Sequence, residues 1–255
     1  MTSIGTGYDL SSSTFSPEGR VFQTEYAMKS VENSGTAVGA RCSDGVVIAV
    51  EKVYHSRMMM KGSLRRVHFV EKHIGVGIAG LLPDGRQMVS KCREEATQYR
   101  EVYGEPVPGR VLVDRLARFT HLYTLYWHVR SFGCSALVAA YDAEGPQLYM
   151  VEPSGMLMRY NACATGKAKQ QAKTELEKLK LGELTCREAV TELAKTIVNV
   201  HDSTKDKLYE LEMLWVCEES GRTAQFVPQE LIDEARKAAE DEKDREDDDD
   251  DMDDA

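Results

Sequence analysis

Apolar positions first settle into a helical period over residues 20–32, where Phe22 and Tyr26 lie four apart and Val21 and Met28 seven apart on one side. The turn signal Ser16-Pro17-Glu18-Gly19 leads into it. From Thr36 the period becomes that of strands. Residues 38–42 and 46–51 flank Ser43-Asp44-Gly45, whose Asp-Gly pair is a short-range hairpin signal, and residues 46–50 are apolar on both faces, as suits a strand covered on both sides. Further strands are expected over 66–71, 74–79, 134–141 and 147–152. Late in the chain Leu211, Met213 and Trp215 alternate with Glu210, Glu212 and Leu214, which predicts one more strand whose second face is more exposed.

Four segments carry clean helical stripes. Val89, Cys92, Ala96, Tyr99 and Tyr103 follow a start at Pro83-Asp84, and Leu112, Leu116, Phe119, Tyr123 and Tyr126 follow Gly109. Ala168, Ala172, Leu176 and Leu179 form the third. Val190, Leu193, Ile197 and Val200 form the fourth, with Thr185 as N-cap and Glu188 three residues on as a capping box. A fifth helix is expected after Pro228. The order is helix, strands, two helices, strands, two helices, strand, helix. Because strict βαβα alternation is missing, the pattern favours an α+β arrangement of antiparallel sheets covered by helices.

Composition narrows the classes. A chain of 255 residues with 42% hydrophobic residues has material for one sizeable core. Its longest strongly apolar stretch, 46–50, is too short to span a bilayer, and residues 1–7 lack the charged and apolar regions of a signal peptide. Residues 1–16 are rich in Gly, Ser and Thr and are expected to be a flexible leader; residues 17–239 read as a single domain. The net charge of −10 sits at the far end, since residues 240–255 hold twelve acidic and two basic residues while the remainder is balanced at 30 and 30. This acidic tail is expected to be extended and disordered, and having no Ser, Thr or Tyr it offers no hydroxyl to phosphorylate. A balanced body offers no phosphate-binding stripe, so nucleic acid is an unexpected partner, as is a membrane. Six scattered cysteines without C-x-x-C spacing and six histidines without metal-ligand spacing predict buried thiols in a reducing compartment, with no metal and no cofactor.

One resemblance gathers these features. The segments Gly5-Thr6-Gly7-Tyr8-Asp9-Leu10, Thr14-Phe15-Ser16-Pro17-Glu18-Gly19-Arg20-Val21-Phe22-Gln23, Glu25-Tyr26-Ala27-Met28 and Gly80-Leu81-Leu82-Pro83-Asp84-Gly85-Arg86 resemble the α subunits of the proteasome core particle. Residues 27–33, 131–135 and the acidic tail point to one branch of that group. The resemblance spans about residues 5–235. It implies a four-layer αββα sandwich, two antiparallel sheets between helix layers, the fold of N-terminal-nucleophile hydrolases.

Catalysis on that fold uses a threonine freed at a Gly-Thr bond, its own amine acting as base, with Asp and Lys tuning the site. If Thr36 stood in the nucleophile position, the Asp and Lys positions would fall on Lys52 and His68. Registered instead on the hairpin Gly45, Gly35 takes the nucleophile position and Glu51 and Val67 the others. Both registers fail. Arg65 or Arg66 cannot replace the lysine through an insertion, because arginine stays protonated. The expectation is a non-catalytic subunit, the alternative an active threonine peptidase of the same fold; a free acidic-tailed interaction protein is a third class.

What the resemblance implies instead is gating. The leaders of seven α subunits converge on the axis of a ring, and Tyr8, Asp9, Pro17 and Tyr26 hold the open form through bonds worth about 0.5–1.5 kcal/mol each. Leu10 stands where several relatives have arginine, removing a charged partner. Activator particles insert C-terminal tails into pockets where a lysine receives the terminal carboxylate; fourteen residues before Gly80 that position is Arg66, whose guanidinium can bind a carboxylate in parallel. Pro83 and Gly85, where alanines are usual, predict a slightly altered helix start. The implied partners are neighbouring α subunits, β-ring subunits, activators and unfolded polypeptide, and the implied location is cytoplasm and nucleus.

Overall fold

The computed structural model describes residues 7–54, 56–202 and 208–253, with backbone alone at 244 and 246–253. In chain order the first elements are α1 (Phe22–Glu32), β1 (Ala37–Arg41), β2 (Gly45–Val53), β3 (Val67–Glu71), β4 (Ile74–Gly80), α2 (Leu82–Tyr103) and α3 (Gly109–Leu125). Then come β5 (Cys134–Asp142), β6 (Gly145–Val151), β7 (Leu157–Tyr160), β8 (Ala162–Thr165), α4 (Lys169–Glu177), α5 (Cys186–Val200), β9 (Tyr209–Cys217), β10 (Gln225–Phe226) and α6 (Gln229–Asp253).

The strands form two five-stranded antiparallel sheets, ordered β10-β9-β2-β1-β8 and β3-β4-β5-β6-β7. The run at 46–50 explains the layering. Val46, Ile48 and Val50 face the second sheet, packing with its Leu137 and Leu148 and with Leu214 of the neighbouring β9, while Val47 and Ala49 face α4, α5 and α6. The second sheet does the same in mirror image: Leu137 and Ala139 face inward, and Ala136, Val138 and Ala140 pack on α2 and α3. Period-2 alternation with both faces apolar therefore gives helix, sheet, sheet, helix, the expected four-layer α+β sandwich. Each fully buried Val, Ile or Leu contributes about 1.5–3 kcal/mol. The predicted hairpin is present, with Arg41 opposite Val46, and so is the capping box, in which Thr185 accepts from Glu188 and the Glu188 carboxylate accepts from Thr185.

Four features differ from the sequence-based expectation. The second face of β9 is not exposed: Leu214 and Val216 lie between the sheets and Glu212 is 5% exposed. Strands β7, β8 and β10 carry no periodicity of their own, being two to four residues long, and exist through their neighbours' ladders. Gly85 is more than a propensity cost, because α2 lies so close on β4 that a Cβ there would sit 2.3 Å from Ile78 Cγ2. Finally, the backbone of the acidic run continues α6 to Asp253 instead of extending. Ile232, Ala235 and Ala239 bury the early turns, Lys195 pairs with Glu242 at 2.5 Å, and Lys243 donates to the Val198 carbonyl at 3.2 Å. Once those turns are nucleated, each added residue brings its own hydrogen bond. Residues 1–6 of the expected leader and 254–255 of the tail lie outside the described residues. No helix among the described residues is long and apolar enough to cross a membrane.

Candidate functional site

Two features converge where α1 packs against β4 and β5. The first is the leader and its anchors. The Ser16–Arg20 turn closes through Gly19 N–H to Ser16 O (2.9 Å) and Ser16 N–H to Arg20 O (2.9 Å), with Gly19 at φ +76°, a value that favours glycine. Pro17 stands exposed at this bend, and its fixed φ suits the position. From α1, the Tyr26 hydroxyl donates to Asp9 Oδ2 at 3.2 Å and the Gln23 amide donates to the Asp9 carbonyl. Burial, then the Asp9 carboxylate, push the Tyr26 phenol up from its ordinary value. Tyr8, by contrast, is 43% exposed and makes no side-chain hydrogen bond among the described residues. Of the four expected gate residues, then, the fold pairs Asp9 with Tyr26, sets Pro17 in the bend below them, and leaves Tyr8 outside.

Residues 7–16, which composition leaves without packing partners, acquire one in Ser12. Its buried hydroxyl donates to Tyr126 O at 2.7 Å and lies 3.3 Å from Val129 O. The loop it docks on is itself pinned: Arg130 donates twice to the Asp84 carboxylate (2.6 and 2.8 Å), which also accepts Gly133 N–H at 2.9 Å. The Arg130 guanidinium, helped by Gly133 N–H and opposed by burial, holds the Asp84 carboxyl below its usual range.

The second feature is a cavity of about 630 Å³ lined by Tyr26, Lys29, Asn33, Arg66, Gly80 and Lys167, among others. Arg66 Nη1 donates to Gly80 O at 3.0 Å and lies 3.5 Å from Ile78 O, while Nε is buried without a hydrogen-bond partner among the described residues. Burial lowers the guanidinium from its usual high value, yet arginine stays charged. Among the described residues the lining holds Lys29, Arg66 and Lys167 and no carboxylate, and although Lys167 also pairs with Asp202 at 3.4 Å, the balance is cationic and suits an anion. A similar cavity between β9 and α6 carries both signs, Lys52 and Arg236 beside Glu210 and Asp233, and has no such preference.

Gly35 is buried so tightly that a Cβ there would lie 2.4 Å from Glu51 O, leaving no room for a nucleophilic side chain. Thr36 is 1% exposed; its amide N–H, a peptide group, donates to Glu51 Oε2 at 2.8 Å. Glu51 is in turn 2.5 Å from His201 Nδ1. Lys52 is committed to Glu210 at 3.1 Å, Val67 lies in the inter-sheet core, and burial pushes His68 down toward its neutral form. All six cysteines are buried and free, and burial pushes Cys92 and Cys134 up to about 12.

Sequence reasoning missed Ser12, Gln23, Lys29, Lys167 and the Asp84–Arg130 pair. Gln23 carried a signal, three residues before Tyr26 on one helix face. Ser12 and Arg130 carried none, because their partners are 114 and 46 residues away.

Known proteins match the sequence on both sides of α1. The family model of the proteasome subunits matches residues 31–216, and the model of the N-terminal signature of A-type proteasome subunits matches residues 8–29, which hold Tyr8, Asp9, Pro17 and Tyr26. The alpha type-3 proteasome subunit of Spinacia oleracea is 59% identical over 239 residues, 94% of this chain and 96% of that one. The protein of the same name from Arabidopsis thaliana is 57% identical over equal shares. The probable alpha type-7 proteasome subunit of Saccharomyces cerevisiae is 46% identical over 95% of this chain and 85% of its own.

Proposed function

The chain belongs to the proteasome α-subunit family, and from that premise we propose that its leader is a movable gate element and its Arg66 cavity a docking pocket for activator tails. Proteasome α subunits assemble into the core particle with other subunits; in this reading the chain sits in a seven-membered α ring, meets the β ring on one side, and meets activators and unfolded polypeptide on the other. It contributes control of entry and cleaves no peptide bond itself. The observation that carries the reading is the anchoring of Asp9 by Tyr26 and Gln23, because it attaches a polar leader to a rigid body through a few individually weak bonds. Such a leader can change position without unfolding the sandwich.

With Thr36 in the nucleophile position, Lys52, paired with Glu210, and His68, driven by burial toward its neutral form, stand where an Asp and a Lys are needed; this supports the non-catalytic part of the reading and disfavours the threonine-peptidase alternative. The cationic lining around Arg66 and Gly80 supports a terminal carboxylate as the pocket's ligand. Six free, buried cysteines suit a reducing compartment, in keeping with the cytoplasm and nucleus. The test is deletion of residues 2–9 in the assembled particle. Hydrolysis of small peptides rises while the preference among cleavage sites stays fixed; an unchanged rate removes the gate role from this strip.

A further inference from the structure

Arg66 can receive a carboxylate only if its guanidinium is held at the cavity wall, so the groups that fix its backbone matter as much as the side chain. Its carbonyl accepts Ile78 N–H at 2.9 Å, the first rung between the 66–71 segment and β4. Its N–H, on the other side, is taken by a side chain from the opposite sheet: Glu212 Oε2 accepts Arg66 N–H at 2.8 Å and Val67 N–H at 3.2 Å. Glu212 Oε1 faces Arg65 Nη1 at 3.3 Å and Lys52 Nζ at 4.0 Å.

A carboxylate 5% exposed between two sheets is costly unless its lone pairs are satisfied, so its partners indicate what it is there to hold. Lys52 does not need it, being paired with Glu210 at 3.1 Å and with Leu64 O at 3.2 Å. Arg65 does not need it either, since its side chain is 53% exposed and stacks on Phe226 at 4.9 Å. The shortest bond goes to the backbone of the residue that lines the cavity. With both backbone groups of Arg66 clamped, its Nη1 reaches Gly80 O, and a displacement of about 1 Å breaks that contact and re-aims the guanidinium.

We infer that Glu212 is the positioning residue of the Arg66 pocket, a carboxylate on β9 that sets how well this chain distinguishes a tail ending in a free carboxylate from one that does not. The inference rests on the reading of that pocket as a carboxylate receptor. It gives the buried face of β9 a task that packing alone does not explain.

The experiment uses the whole core particle with variants of this chain. A photo-crosslinking peptide copied from an activator's C-terminal tail is applied as the free acid and as the C-terminal amide, and labelling of this chain is titrated. Arg66→Ala lowers the acid-to-amide preference, which checks the pocket reading by itself; if it leaves the preference unchanged, that reading falls and this inference falls with it. Given a responsive Arg66, Glu212→Gln, whose neutral amide oxygen accepts the two N–H groups less strongly than a carboxylate and whose NH2 faces the cations of Arg65 and Lys52, weakens free-acid labelling about tenfold and amide labelling less than twofold. Adding it to Arg66→Ala changes nothing further. An unchanged preference in Glu212→Gln, or an equal loss for both peptides, overturns the positioning role while leaving the pocket intact. Should Glu212→Gln fail to assemble, Glu212→Asp, which keeps the charge and shortens the reach by one methylene, is judged by the same two criteria.

Discussion

Gly35→Ala is the sharpest test of how completely the fold closes residue 35 to any side chain. The added Cβ would lie 2.4 Å from Glu51 O and 3.3 Å from Glu51 C, both backbone atoms of β2 that cannot swing aside as a side chain can. To make room, the strand start must lift, straining Glu51 N–H to Thr36 O (2.8 Å) and Thr36 N–H to Glu51 Oε2 (2.8 Å). Overpacking of this kind costs about 1–3 kcal/mol. For a chain of this size each kcal/mol lowers the unfolding midpoint by about 2–4 °C. The companion variant Thr36→Val keeps the shape and removes only a hydroxyl, which accepts one 3.4 Å contact from Ala168 N–H, so it costs at most about 1 kcal/mol. Thermal unfolding of the assembled particle, followed on this chain, and peptide hydrolysis with the gate held open read both variants. Gly35→Ala melts early, and Thr36→Val hydrolyses at the wild-type rate. A Gly35→Ala particle with an unshifted midpoint refutes the steric argument, and a Thr36→Val particle that loses an activity refutes catalytic silence.

Other contacts predict as directly. Ile48→Ala empties a fully buried site between the sheets and destabilises the chain by about 2–5 kcal/mol, measured as a fall in melting midpoint and in yield of assembled ring. Ser12→Ala removes the donor to Tyr126 O, and at about 1 kcal/mol it raises hydrogen exchange of the amides at 11–16 roughly fivefold while leaving the sheets protected. Asp84→Asn tests the pinned loop through pH. Because the Asp84 carboxyl is held below its usual range, its contribution is present above about pH 4 and is lost as the pH falls through its lower folded value. The wild-type midpoint therefore declines more steeply than that of Asp84→Asn in acid, and parallel declines refute the assignment.

What could be read from the chain were patterns whose causes are local or periodic. Residues 46–50 announced a strand covered on both faces, the Asp44-Gly45 pair a hairpin, and Thr185 with Glu188 a helix start, because each depends on neighbours a few residues away. Glu212 shows where this ends. Alternation with Glu210 marks a face, but only the opposite sheet decides whether that face meets water or the N–H groups of Arg66 and Val67. Likewise Arg66 stands out only through the family resemblance, counted from Gly80, and the partners that aim it leave no trace in the sequence.

In the proposed reading, non-catalysis and gating both depend on the segment before residue 36. A nucleophilic amine at residue 36 requires removal of everything before it, including α1, whose Tyr26 and Gln23 hold Asp9 and whose Tyr26 and Lys29 line the cavity with Asn33 just beyond its end. It also requires that the Thr36 nitrogen, here a peptide N–H donating to Glu51, become an amine whose lone pair can act as base. The helix that anchors the leader thus occupies the ground a catalytic site needs. A chain of this fold can build the pocket and keep the leader, or it can expose the amine at residue 36, but the same 35 residues cannot serve both ends.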